Sequence, residues 1–233
     1  MSNKNKKQFQ LDNKENCIIY LCRIISSCEL CMDRYKVYNK ETKEVLNRYQ
    51  KGDKIPYEIY VSIMDKTSSV MCYLLNLLGD CQSSSISYFK YRKQVQKLIN
   101  RGLNDIKINE FDDEIKEILA EFNKLRNWQN HVPESLLISE LEFIESKMMI
   151  LPRNPMVINH YQYVTYEYFM DLYEQNVSFY NVARKIVQAA KKDYSLLVGS
   201  TVEYPRRYIK EPLKLEKSEP TRISAKIQGL KVD

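Results

Sequence analysis

Apolar residues recur at helical spacing along most of this chain, and that periodicity constrains the fold more than any other feature. The pattern occupies residues 14–36, 57–78, 84–101, 111–127, 133–150 and 160–198. Only 5 Gly and 7 Pro interrupt the 233 residues, so helices have few points at which they must stop. We find no segment that must be a strand. The sequence therefore predicts an all-α fold, an up-and-down bundle of five to six helices.

Small residues mark the predicted helix ends. Gly79 and Gly102 each follow a periodic segment, and glycine tolerates the left-handed conformation that closes a helix. The serine run before the third helix is expected to cap it. The first helix either continues through a polar stretch to Tyr49 or breaks near Asn39, and the sequence does not choose between these.

The net charge of +6 is concentrated at the two ends of the chain. Residues 1–10 hold three Lys and no acid, and residues 203–233 hold eight basic and five acidic residues, so the body between them is formally neutral. We predict a flexible basic N-terminus (1–12), a helical domain (13–199) and a basic, Pro-containing tail (200–233). Such ends either make salt-sensitive contacts with a polyanion or are simply solvated.

Cysteine usage and hydropathy indicate an intracellular protein. No run of 18 apolar residues exists, so we expect no membrane span, and the N-terminus does not resemble a secretory signal. The six Cys include a Cys28-x-x-Cys31 pair, but no strand precedes it and no second pair lies at zinc spacing. We interpret them as small apolar residues in a reducing, cytoplasmic compartment. No metal or cofactor is expected.

The last helix holds much of the tyrosine excess, which is 18 residues in the whole chain. Its aromatic and apolar side chains form two adjacent rows. One row holds Tyr166, Phe169, Tyr173, Val177 and Tyr180, and the other holds Tyr161, Val164, Tyr168 and Leu172. This wide face favours a core or a dimer seam. It is also suited to stacking nucleic-acid bases, because each Tyr keeps a polar tip.

The stretch LRNWQNHVP carries the candidate chemistry. Arg126 and His131 lie five positions apart, so in a straight helix they would point roughly 140° away from each other. The position before Pro133 disfavours helical dihedrals, which predicts a bend that turns both side chains toward one spot. The helix that starts at Pro133 also offers unpaired N–H groups there. Together with Asn127, these groups suit a phosphate.

Such a site suits metal-independent RNA cleavage, in which the 2′-hydroxyl attacks the adjacent phosphorus. His131 fits proton transfer near neutral pH, and the planar fork of Arg126 fits the phosphorane oxygens. Asn127 is placed to orient His131 or to hold a phosphate oxygen. A second proton-transfer group is missing, and a partner chain across a dimer is one source for it.

This motif resembles the signature of the HEPN superfamily, in which a polar residue follows the Arg and four to six positions separate Arg from His. The resemblance implies a four-helix core, homodimerisation that joins two motifs, and ribonuclease activity on RNA. Proteins of this kind serve as toxins, phage-defence effectors or RNA-processing enzymes. The residues it designates as catalytic are Arg126, Asn127 and His131.

Two alternatives to the ribonuclease stay open. Arg126 would pair with an acid such as Glu121, Glu134 or Asp112 if the motif is structural, with His131 capping a helix and Trp128 filling the core. The protein would then be a non-catalytic interaction or regulatory module that binds a protein partner through its Tyr-rich face. Nucleic-acid binding through the tails and the Tyr face, without cleavage, is a third hypothesis. A further protein that regulates the activity would be an additional partner.

Overall fold

The computed structural model describes residues 9–82, 85–102, 105–110, 112–130 and 160–208, together with positions 138, 141, 142 and 146. The chain divides into two units, Met1–Thr201 and Val202–Asp233. The first unit contains all the helices and strands named below, and residues 202–208 of the second have no regular secondary structure. The domain boundaries proposed from the sequence stay predictions.

Five helices pack together in the described part of the chain, which confirms the all-α class. In chain order the elements are α1 (Lys14–Leu46), β1 (Lys54–Pro56), α2 (Tyr57–Gly79), α3 (Tyr88–Asn100), α4 (Asp113–Asn130), β2 (Tyr163–Thr165) and α5 (Tyr166–Val198). Helix α1 packs against α2, α3 and α5, and α2 packs against α4. The helix predicted over 133–150 falls almost entirely outside the described residues.

Helix α1 settles the question of the first helix, because it continues past Asn39 without a break. Asn13 caps it by accepting a hydrogen bond from the backbone N–H of Asn16 at 2.8 Å. Its buried side chains recur at helical spacing and include Cys17, Leu21, Ile24, Cys28 and Tyr35. Cys22, one of the six Cys that we interpreted as small apolar residues, is exposed. The long amphipathic face of α1 is therefore the central wall of the core.

A short antiparallel ladder joins β1 to β2, an element that the sequence pattern did not require. Ile55 pairs with Val164, and the Ile55 side chain is fully buried. The ladder occupies the start of the segment predicted to be one helix over 160–198, and α5 therefore begins at Tyr166. Thr165 caps α5 by accepting a hydrogen bond from the N–H of Tyr168. Three-residue strands are too short to leave an alternating pattern in the sequence.

Gly79 does not end α2 in the way that we predicted. Its backbone is not left-handed, and the capping residue Asp80 is extended. Instead, a Cβ atom built at Gly79 would lie 2.8 Å from the backbone carbonyl carbon of Phe122 and 2.9 Å from the N of Asn123. The glycine is required because helices α2 and α4 touch backbone to backbone at this point.

The signals that we predicted for the two ends of α3 are confirmed. Ser87 is the N-cap and accepts a hydrogen bond from the N–H of Lys90 at 3.1 Å. Gly102 follows the helix with a φ of +93°, which only glycine adopts without strain. The helix begins four residues later than the pattern suggested, because Ser85, Ile86 and Ser87 belong to the turn that precedes it.

Candidate functional site

Arg126 lies in the last turns of α4, one helical turn after the contact between Phe122 and Gly79. Only 8% of its surface is exposed. Its Nη2 lies 3.1 Å from a carboxylate oxygen of Asp80, and its Nε donates to the side-chain oxygen of Asn76 at 3.1 Å. The close approach of α2 and α4 at Gly79 therefore brings the guanidinium within reach of Asn76, which lies in α2, and of Asp80, which follows α2 directly.

Asn127 is exposed, and its side-chain oxygen accepts a hydrogen bond from Nη1 of Arg126 at 3.0 Å. Two of the five N–H donors of the guanidinium are thus hydrogen-bonded to Asn76 and Asn127, and Asp80 forms an ion pair with Nη2. These contacts fix the plane of the Arg126 fork. The structure therefore brings two of the three sequence-predicted residues into direct contact.

The third predicted residue, His131, lies outside the described residues, as does Pro133. The bend that would turn His131 toward Arg126 stays a prediction. Trp128, which the structural alternative placed in the core, is 56% exposed. His160, the other histidine of the chain, is also exposed.

Asp80 is the residue that sequence reasoning missed at this site. It is 6% exposed and lies in the turn between α2 and α3. Its second carboxylate oxygen accepts from the N–H of Gln82 at 2.8 Å, and its backbone carbonyl accepts from the Ser87 hydroxyl. Arg126 does pair with an acid, as the structural alternative proposed, but with none of the acids that we named. No local signal connects two residues that far apart in sequence.

A second buried charged cluster centres on Asp193 of α5, which is fully buried. Its carboxylate accepts from the Tyr88 hydroxyl at 2.7 Å, from Nη1 of Arg92 at 2.8 Å and from the backbone N–H of Asn109 at 2.9 Å. Arg92 also donates to the carbonyl of Asn109 at 2.7 Å. This cluster fastens α3 and the segment 105–110 to α5. We interpret the cluster as structural, because its polar groups are hydrogen-bonded to one another.

The described titratable groups with shifted pKa values are mainly buried thiols and phenols. Burial raises the pKa of Tyr88, and the neighbouring charge of Asp193 raises it further. Burial also raises the pKa of the Cys17 thiol to about 11 and moves that of Cys28 well above its usual range. These groups stay protonated at neutral pH and are unreactive, so they are poor candidates for proton transfer or nucleophilic attack.

The Tyr-rich face is buried at Phe169, exposed at Tyr161 and Tyr168, and half-buried at its other positions. Phe169 is fully buried and belongs to a core cluster with Ile55 and Tyr60, as the core interpretation predicts. Tyr161 and Tyr168 are 65% and 55% exposed. The Tyr168 ring centroid lies 5.6 Å from that of Tyr60. An exposed patch of tyrosines therefore covers the aromatic part of the core.

Within the part of the chain that the structure describes, no His, Cys, Asp or Glu side chains gather into a group of three or more that could hold a metal ion. Over the same residues, none of the helices has the length and apolarity needed to cross a bilayer. Comparisons of the chain with protein-family models, with curated proteins and with solved structures find no match.

Proposed function

We propose that this protein is a metal-independent endoribonuclease of HEPN type, acting as a homodimer on RNA in a defence or toxin role. The observation that supports this best is the fixed orientation of the Arg126 guanidinium. It lies near the end of α4, five residues ahead of His131, and partners from α2, from the turn after α2 and from Asn127 hold it. A preorganised cation costs little reorganisation when charge develops on a phosphorane.

Each proposed residue has one role in the reaction. His131 either accepts the proton of the attacking 2′-hydroxyl or donates a proton to the leaving 5′-oxygen, because an imidazole titrates near neutral pH, and a group of the second chain in the dimer makes the other transfer. Arg126 stabilises the phosphorane oxygens through N–H groups not directed at Asp80, Asn76 or Asn127. Asn127 holds one edge of the fork, at 3.0 Å from Nη1. The bond from phosphorus to the 5′-oxygen breaks as the bond to the 2′-oxygen forms, leaving a cyclic phosphate.

Because Asp80 offsets the charge of Arg126, the Arg126 site contributes little to the affinity for the RNA substrate. Its carboxylate lies 3.1 Å from the guanidinium and cancels most of its net charge at longer range. The pair therefore fixes geometry, and the electrostatic attraction for a polyanion must come from other cations. Under this proposal the Arg126 site carries the chemistry and a separate surface carries the binding.

The two histidines of the chain give a matched test. Wild-type protein, His131→Ala and His160→Ala are incubated with structured and single-stranded RNA in the presence of EDTA. We expect cleavage by wild type and by His160→Ala, products that end in a 2′,3′-cyclic phosphate, and a loss of at least about 100-fold for His131→Ala. Equal cleavage by the two variants would remove His131 from the mechanism.

Arg126→Lys adds a second test, because it keeps a positive charge and removes the planar fork. We expect a fall in the cleavage rate of about 100-fold with a smaller change in RNA affinity, as for other groups that stabilise a transition state. Urea unfolding of the same variant is needed as a control, since Arg126 also bridges α2 and α4. A fall in rate that tracks only the unfolded fraction would count against a catalytic role.

A non-catalytic interaction module is the second candidate, and the exposed tyrosine patch favours it. Tyr161 and Tyr168 expose more than half of their surface, and Tyr163 is 44% exposed with the Lys54 ammonium 4.2 Å above its ring. Aromatic side chains of this kind are enriched at protein interfaces. Wild-type protein that cleaves no RNA, together with a protein partner whose binding Tyr168→Ala abolishes, would select this function.

A further inference from the structure

Helix α3 and its flanks form the most basic segment of the described structure. Residues 81–104 contain no acid and five cations: Lys90, Arg92, Lys93, Lys97 and Arg101. The helical domain as a whole is close to neutral, so this segment concentrates positive charge on one element. Two of the five are used inside the fold, because Arg92 pairs with Asp193 and Lys90 donates to the carbonyl of Ser85.

The remaining three cations lie along the solvent face of the helix. Lys93, Lys97 and Arg101 are exposed and follow each other at intervals of four residues, which is roughly 6 Å along a helix axis. Over the described residues, none of the three takes part in an ion pair with a carboxylate. We call these three side chains the α3 stripe.

A groove with a cavity of about 780 Å³ runs beside the stripe. Its walls include Lys93, Lys97 and the apolar side chains of Phe89, Ile99 and Ile108. The Lys93 ammonium lies 4.0 Å from the centre of the Phe89 ring. An aromatic ring and apolar walls beside a row of cations suit a ligand that is both polyanionic and flat-faced, as single-stranded nucleic acid is.

The acidic side chains near the groove are too few to neutralise its cations. Glu110 lines the same cavity, where it opposes Lys93 and Lys97. Lys116, another lining residue, is neutralised by Asp113 at 2.7 Å. Counting Arg101 at the end of the stripe, the groove retains a net positive charge.

The N-terminal end of the stripe lies close to the Arg126 site. Lys93 Nζ is 3.6 Å from the sulfur of Cys81, the residue that follows Asp80. Asp80 is in turn 3.1 Å from the Arg126 guanidinium. The Lys93 end of the stripe is therefore linked to Arg126 through two contacts and the Asp80–Cys81 peptide, although Arg126 does not itself line the groove.

We propose that the α3 stripe and its groove bind the substrate as single-stranded RNA and lead it to Arg126. The naming of RNA as the ligand rests on the proposed ribonuclease function. The stripe supplies the long-range attraction that the Arg126–Asp80 pair lacks. The apolar walls formed by Phe89, Ile99 and Ile108 offer a surface that a base contacts.

The test measures binding separately from cleavage. All proteins carry His131→Ala, and the probe is a fluorescein-labelled oligouridylate whose anisotropy is followed across a range of salt concentrations. The stripe variant is Lys93→Gln, Lys97→Gln, Arg101→Gln. The matched control removes three exposed cations from α1 instead, as Lys36→Gln, Lys40→Gln, Lys43→Gln. Glutamine is a good helix former, and circular dichroism confirms that both variants fold.

We expect the stripe variant to bind at least tenfold more weakly than the control, with a salt slope reduced by about 2, since each lost contact to a single strand removes about 0.7. Equal affinities and slopes for the two variants would overturn the proposal. Polyglutamate that displaces the oligouridylate at the same charge concentration would also overturn it, because the groove would then accept acidic proteins without regard to bases.

The outcomes separate this inference from the proposed function. If the stripe variant loses binding while His131→Ala still cleaves RNA, the RNA-binding surface stands and the assigned catalytic residue falls. If His131→Ala abolishes cleavage and the stripe variant binds like the control, the ribonuclease stands and the surface assignment falls.

Discussion

Replacing Asp193 with Asn removes one charge from the centre of the buried cluster and changes little volume. The carboxylate accepts four hydrogen bonds at 2.7 to 2.9 Å from Tyr88, Arg92 and Asn109. The amide keeps one acceptor oxygen, and its NH₂ group would face donors. Arg92, which is 5% exposed, loses its counter-charge. Breaking a buried ion pair in this way costs about 3–5 kcal/mol, a large fraction of the stability of an ordinary domain.

Urea unfolding followed by circular dichroism measures that loss. With a slope of about 2–3 kcal/mol/M, the midpoint should fall by roughly 1–2.5 M. Glu114→Gln is the matched control, because its carboxylate also pairs with a cation of α5, at 2.6 Å from Lys185, but on the surface. We expect the control to change stability by less than about 1 kcal/mol. If Asp193→Asn lowers the free energy of unfolding as little as the control does, the buried cluster does not stabilise the packing of α3 against α5.

Three further predictions concern close packing, thiols and alkaline pH. Gly79→Ala should destabilise the protein by about 2 kcal/mol in the same urea assay, because the cost of overpacking against the Phe122 backbone exceeds the stabilisation from the higher helix propensity of Ala. An increase in stability would contradict the close contact. A thiol-specific reagent should label Cys22 quickly and Cys17 only on unfolding, so the fast phase of labelling should be absent from Cys22→Ser. Rapid labelling of Cys17 in that variant would contradict its burial. The pKa of Cys17 is raised from 9.0 to about 11 and that of Tyr60 from 10.0 to about 12, so their protonated forms stabilise the folded state. That contribution is complete below pH about 9 and is lost as the pH rises toward 11 and 12, and urea midpoints that stay constant across this range would refute it.

Local patterns predicted the helices because each helix carries its own signal. Apolar periodicity located all five described helices, and Ser87 and Gly102 marked the ends of α3 as predicted. Gly79 shows the limit of such reading. The same residue type serves a left-handed turn or a close contact between helices, and only the position of Phe122 distinguishes the two.

The contacts that define the candidate site were beyond the reach of local patterns. Arg126 and Asn127 were identified from their spacing to His131, but the pairing of Arg126 with Asp80 joins a residue of α4 to one in the turn after α2, with no shared motif. Asp193 and Arg92 are 101 positions apart, and neither stands out in its own segment. A single sequence carries the identity of buried charges but no information on which of them meet.

The position of Asp193 near the end of α5 has a consequence for how the protein is made. During translation Arg92 leaves the ribosome 101 residues ahead of the carboxylate that neutralises it. Until then Arg92 lacks the carboxylate that balances its charge, although the carbonyl of Asn109 is already available to it. A chain truncated before residue 193 would therefore have to dock α3 with this positive charge unbalanced, however many of its helices have already formed.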